Sequence, residues 1–219
     1  MRIRILVTVL AAVVGASASA QAGLINAGFE TGDLSGWTTF TTANGTLGAV
    51  GGEVVLFDTN GDGVATPSAR FRVGEAIYSH PALEGGGIYQ GVALGAGALA
   101  ISAAVAASTP WGNWNGGLFE LLFDGLVVDS HDFGHISAGS VERASLFASF
   151  DVDAGLHEIR LRMTRPWAES DSTPLQFVDD VSLDVAEPPT EHMPEPGTIT
   201  LLGLGLLGLS RARRRRRSG

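Results

Sequence analysis

The residues with most chemistry to offer in this chain are oxygen donors and aromatic rings. Asp58-Thr59-Asn60-Gly61-Asp62-Gly63 follows the first half of a calcium loop, D-x-[DN]-x-[DN]-G. In that pattern oxygens at positions 1, 3 and 5 converge and the glycine at 6 makes the sharp turn. Asp58, Asn60 and Asp62 are the candidate ligands. The twelfth position is Ala69 rather than Glu, and the same composition suits a tight Asx/Gly hairpin turn, so both readings stand. Trp111-Gly112-Asn113-Trp114-Asn115-Gly116-Gly117 sets two indoles and two amides in a glycine-rich loop. Indole faces stack on sugar rings and amides bond hydroxyls. Trp111, Asn113, Trp114 and Asn115 are therefore the candidate ligand-binding residues, with Trp167 and Tyr89-Gln90 as further contributors. The alternative is tethering, with one or both rings plugging the end of the fold.

Nucleophilic and metal-hydrolytic chemistry find little support. His131 and His135, with Asp129 and Asp132, invite an acid/base or metal reading. On a loop after a hairpin, however, their spacing sets no geometry, and they read as solvated loop residues. No G-x-S-x-G, H-E-x-x-H or phosphate-binding loop occurs. With no cysteine, a disulfide scaffold, a cysteine-based zinc site and a cysteine nucleophile are excluded. No catalytic residue is assigned.

The formal net charge of −9 is unevenly spread. All 14 basic residues are Arg. Residues 1–22 carry +2, residues 194–219 carry +5, and the intervening 23–193 carry −16. An acidic body argues against a nucleic-acid partner, because phosphate binding needs a basic face.

The two basic ends read as addresses. Arg2 and Arg4 precede an apolar run, Ile5 to Val14, and small residues around Ala20 and Ala22. This is the pattern of a secretory signal peptide over 1–22, cleaved after Ala20 or Ala22. At the other end a Pro/Glu-rich linker, 187–193, leads to Pro194-Glu195-Pro196, an apolar segment 197–210, and an Arg cluster that includes Arg211, Arg213 and Arg214. At about 1.5 Å per residue the apolar segment reaches roughly 21 Å, a short transmembrane helix against a hydrocarbon core of roughly 30 Å. The Arg cluster would hold its end in the cytoplasm. The order Pro-Glu-Pro, short apolar helix, Arg cluster resembles the PEP-CTERM sorting signal of Gram-negative bacteria. That resemblance implies recognition by an exosortase, transient inner-membrane anchoring with the body in the periplasm, cleavage near Pro194-Glu195-Pro196, and delivery to the cell surface or an exopolysaccharide matrix. An ordinary C-terminal anchor is the alternative.

Between these ends, residues 23–186 read as one all-β domain. In Leu156–Thr164, Ile159, Leu161 and Met163 alternate with Glu158, Arg160, Arg162 and Thr164, the period of a half-buried strand. Phe147–Val152 alternates likewise. Phe119–Phe123 and Leu126–Asp129 flank Asp124-Gly125, a dipeptide suited to a type I′ hairpin turn. Further strands are expected at Glu53–Asp58, Ala69–Val73, Ile88–Leu94, Leu99–Ala106 and Gln176–Val185. Leu99–Ala106 is alanine-rich and helical by propensity, but its flanking glycines favour a strand. Short strands separated by Gly, Pro and Asp suggest a jelly-roll β-sandwich, with Trp37 in its core.

The body opens with Asn26-Ala27-Gly28-Phe29-Glu30-Thr31-Gly32, reaching Gly36-Trp37, and closes with Phe177-Val178-Asp179-Asp180-Val181-Ser182-Leu183. These edges resemble the galactose-binding-like jelly roll shared by many carbohydrate-binding modules. The resemblance implies a structural Ca²⁺ between first and last strands, held by Glu30 and Asp180 with Asp179 as a further candidate; the alternative is that these are turn residues or salt-bridge partners. The leading expectation is an exported, non-enzymatic sandwich that engages polysaccharide. A structural matrix component without a specific ligand, and a polysaccharide-active enzyme, are the other classes.

Overall fold

The computed structural model describes residues 23–78, 82–111 and 114–186. They form fourteen strands and no helix: β1 (Thr38–Thr41), β2 (Gly45–Thr46), β3 (Glu53–Phe57), β4 (Thr66–Phe71), β5 (Gly74–Glu75), β6 (Glu84–Leu94), β7 (Gly97–Ser108), β8 (Trp114–Asn115), β9 (Leu118–Phe123), β10 (Leu126–Asp132), β11 (His135–Ile136), β12 (Val141–Val152), β13 (Gly155–Arg165) and β14 (Leu175–Ala186). Two five-stranded antiparallel sheets run in the orders β1-β6-β13-β9-β10 and β12-β7-β14-β4-β3. Two-residue ribbons, β2-β5 and β8-β11, add to them. All the strands expected from sequence are present, but β6 and β12 begin earlier than expected, at Glu84 rather than Ile88 and at Val141 rather than Phe147.

Period-two patterning explains the layers. On β13, Ile159, Leu161 and Met163 are essentially inaccessible, while Glu158, Arg160 and Arg162 stay half-buried. They meet Leu99, Ile101, Val105 and Val178 of the second sheet in one core. Each such side chain contributes about 1.5–3 kcal/mol on burial. Leu99–Ala106 lies within the central strand β7, paired by β12 on one side and β14 on the other. Two ladders override its alanine helix propensity. Trp37 packs in the core against Phe29, ring centroids 6.0 Å apart. The β9–β10 turn has φ of 50° at Asp124 and 79° at Gly125, the positive pair that a type I′ turn requires.

One strand depends on glycine. A methyl group on Gly87 of β6 would overlap the Leu161 carbonyl oxygen of β13, and Gly85 and Gly86 face the Met163 and Phe40 carbonyls in the same way. Only a strand without side chains here lets β1 and β13 close on β6.

The expected signal segment 1–22 and linker 187–193, and the segment from Pro194, Glu195 and Pro196 to Arg211, Arg213 and Arg214, lie outside the described residues. Among those described, no helix is long and apolar enough to cross a membrane.

Candidate functional site

The acidic candidates come together differently from their expectation as two separate sites. The β3–β4 connection folds back over the second sheet. Asp58 accepts from Gly61 N at 2.8 Å and pairs with Arg143 of β12 at 3.3 Å. Asn60 donates from Nδ2 to Asp180 Oδ2 at 2.8 Å, and Asp62 accepts from Val64 N at 2.7 Å. Asp179 is buried and accepts from Thr66 Oγ1, Ser68 Oγ and Asp180 N. Burial pushes its carboxyl above the ordinary range, and these three donors pull the other way. Asp180 sits at a β-bulge with φ of 48°, where the extra residue leaves the ladder. The turn carrying Glu30 touches this strand through its backbone, Val181 N donating to Ala27 O at 3.3 Å, and the Glu30 side chain is exposed. Among the described residues no three acidic or histidine side chains are placed to hold a metal ion. A Ca²⁺ ion needs six to eight oxygens facing inward. Here the carboxylates of Asp58, Asp62, Asp179 and Asp180 face protein donors.

The aromatic candidates gather at one end of the sandwich. The registers Thr41↔Gly86, Arg165↔Glu84, Thr164↔Leu118, Leu118↔Asp132 and Leu175↔Ser108 place the loops after β1, β4, β7, β10 and β13 together. Trp111 is 65% exposed and Trp114 38%; neither ring plugs the fold. Trp114 is fixed by pairing β8 with Ile136 of β11, and the Trp111 carbonyl accepts from Thr109 Oγ1 at 2.7 Å. Asn113 lies outside the described residues. The Asn115 Oδ1 closes a local turn by accepting from Gly117 N at 2.9 Å.

Arg165 holds this end together. It is 1% exposed, and its guanidinium reaches the carbonyl oxygens of Asn115 and Val73 and the hydroxyl of Thr173 at 3.3–3.4 Å. Burial lowers its pKa to about 10, with the Glu169 charge acting against that shift. Sequence reading missed it, although parity carries the signal: Arg165 continues the inward series Ile159, Leu161, Met163. It also missed Tyr78, whose ring stacks on Trp167 with centroids 5.7 Å apart and planes within 8°.

The remaining candidates serve the fold. Gln90 is buried and exchanges hydrogen bonds with both backbone groups of Ile25. Tyr89 and Phe40 flank the Arg160 guanidinium, at 5.2 and 4.4 Å from their ring centroids. Asp129 accepts from Ser130 N and Phe147 N, and Asp132 from Gly134 N. The His131 ring packs edge-on against Phe133, and His135 pairs with Asn115 through β11.

No curated protein matches the chain in sequence. Among solved structures, the chain is similar to a carbohydrate-binding module in complex with β-1,4-galactotriose, at 15% identity and a TM-score of 0.45, covering 75% of this chain and 99% of that one. It is similar to a cyclase from Fischerella sp. TAU in complex with 4-(1H-indol-3-yl)butan-2-one, at 19% identity and a TM-score of 0.46, covering 76% and 100%. It is also similar to a xylan-binding domain from Paenibacillus barcinonensis, at 13% identity and a TM-score of 0.40, covering 78% and 99%. These likenesses concern the path of the chain alone. Residues 194–217 match the PEP-CTERM protein-sorting motif. The chain therefore carries a PEP-CTERM sorting motif, which implies an exported protein processed by an exosortase, behind a body that is a two-sheet β-sandwich.

Proposed function

We propose that this is a cell-surface or extracellular-matrix protein whose sandwich is non-catalytic and binds polysaccharide. The C-terminal segment anchors it transiently in the inner membrane through residues 197–210, facing the periplasm, until exosortase cleavage releases the body. The observation that carries the binding reading is the exposure of Trp111 and Trp114 on a pinned end of the sandwich. Solvent-facing indoles have an apolar face to bury, and a flat sugar ring offers the complementary surface. Affinity electrophoresis of the exported protein through gels containing neutral or acidic polysaccharides tests it. Retardation by at least one glycan supports the reading; free migration through all of them overturns it and leaves a structural matrix component.

Calcium is the proposal that the geometry supports least. For the ion to enter, Asn60 must turn its Oδ1 toward Asp180 in place of Nδ2, and the carboxylates of Asp58, Asp62, Asp179 and Asp180 must exchange protein donors for the cation. A melting temperature that rises on adding CaCl₂ would support that rearrangement.

A further inference from the structure

Trp167 adopts φ of 85°, a region that favours glycine and that a bulky side chain occupies only at a cost. The backbone around it is held. Its carbonyl accepts from Glu75 N at 2.9 Å, Glu169 N donates back to Glu75 O at 2.9 Å, and Ala168 bridges Glu75. Glycine would meet those bonds without strain. Just over half of the residue's surface is buried in return, and 45% stays exposed. Among the described residues its ring partner is Tyr78, itself 53% exposed, stacked on it at 5.7 Å and 8°. The fold therefore tolerates strain to keep a large, flat, exposed aromatic surface in a fixed orientation. Strain kept at an exposed residue points to a use outside the fold.

We infer that the Tyr78–Trp167 pair is the main stacking platform for a neutral polysaccharide, with Trp111 and Trp114 secondary. The inference rests on the reading that the sandwich binds polysaccharide, and names the surface and substrate class. The neighbouring groups set that class. The Glu169 and Asp171 carboxylates follow Trp167 in the same loop, 3.8 and 3.4 Å from Arg72 Nη1. The exposed Asp171 carboxylate can accept bonds from hydroxyls, Arg72 and Arg165 balance the two carboxylates locally, and a body at −16 repels carboxylated or sulfated sugars. A pre-oriented ring also loses little side-chain entropy on binding.

Affinity electrophoresis and melting of the exported protein, with W167G, Y78A and the double variant W111A/W114A, test this on neutral β-glycans and on alginate as the acidic control. The expected result is retardation by a neutral glycan but not by alginate, and loss of apparent affinity by at least about tenfold in W167G. Y78A should lose several-fold and the double variant less than W167G. W167G should melt within a few degrees of wild type, because relief of the strain offsets the burial lost with the indole. Wild-type retention that W167G and Y78A leave intact overturns the inference while the polysaccharide reading survives. Melting lowered by more than a few degrees in W167G together with unchanged binding in Y78A assigns the pair a structural role and also overturns it. Free migration of the wild type through every glycan overturns both readings.

Discussion

Asn60 and Asp180, 120 residues apart in sequence, meet side chain to side chain at 2.8 Å. This contact latches the β3–β4 connection onto the bulge of β14 and turns an amide donor, not an oxygen ligand, toward the carboxylate. Asn60→Ala should therefore lower stability by about 0.5–1.5 kcal/mol, read by denaturant unfolding. EDTA should leave the wild-type melting temperature unchanged. A drop of several degrees on chelation would show that a cation, not Asn60, organises the carboxylates.

His157 bonds Asp124 through Nδ1 at 2.8 Å and clamps the β9–β10 turn onto β13. The Asp124 hydrogen bond raises the His157 pKa above its ordinary 6.5, against some desolvation. Partial burial would raise the Asp124 carboxyl, but the His157 bond, the Glu158 backbone N–H and the His157 charge together hold it below 3.8. A raised histidine pKa stabilises the fold fully below about 6.5, and that contribution is lost as pH climbs through the folded value. The lowered Asp124 contributes above its unfolded value and fails as pH falls through the folded one. Melting should thus be highest between about pH 4 and 6.5 for this pair. His157→Phe, which keeps a ring for stacking on Phe123, should flatten the decline between pH 6 and 8. An unchanged slope would remove the pair as its source.

Arg165 is the peg of the aromatic end. Arg165→Met removes the donors to Asn115, Val73 and Thr173 while keeping an apolar stem, and should cost about 2–4 kcal/mol in unfolding free energy. The tryptophan emission of the folded variant should shift as Trp111, Trp114 and Trp167 lose their common support. Emission and stability both equal to wild type would contradict the role.

Gly87→Ala places a methyl group on the Leu161 carbonyl oxygen. The adjacent backbone cannot yield without parting β6 from β13, so the variant should be destabilised by about 3 kcal/mol or more or recovered unfolded. Gly91→Ala on the same strand, whose nearest neighbour would be Leu156 at 3.8 Å, is the matched control and should melt within a few degrees of wild type.

The strands were readable because burial on one face writes itself into alternate residues; Ile159, Leu161 and Met163 did so plainly. The Asp124-Gly125 turn was readable because few dipeptides accept two positive φ angles. The site was readable only in part. Trp111 and Trp114 declared themselves as indoles in a glycine-rich loop, but Tyr78 and Trp167 lie in separate loops, and nothing local marks their stacking. The Asn60–Asp180 latch is a contact between distant segments, so Asp58, Asn60 and Asp62 read as a calcium loop, with no sign of the partner that takes up the amide. Arg165 shows the reverse case: strand parity pointed it inward, while its charge pointed outward in any composition-based reading.

In the proposed function the C-terminal segment is an address that is removed and the sandwich is what is delivered. Intact-mass measurement of the protein recovered outside a host that carries an exosortase, beside the same host with the exosortase gene deleted, tests this most directly. The expected result is a released chain that ends near Pro194-Glu195-Pro196 and begins after Ala20 or Ala22, and a membrane-retained chain keeping Arg211 to Arg217 in the deletion host. The same full-length C-terminus in both hosts would contradict it.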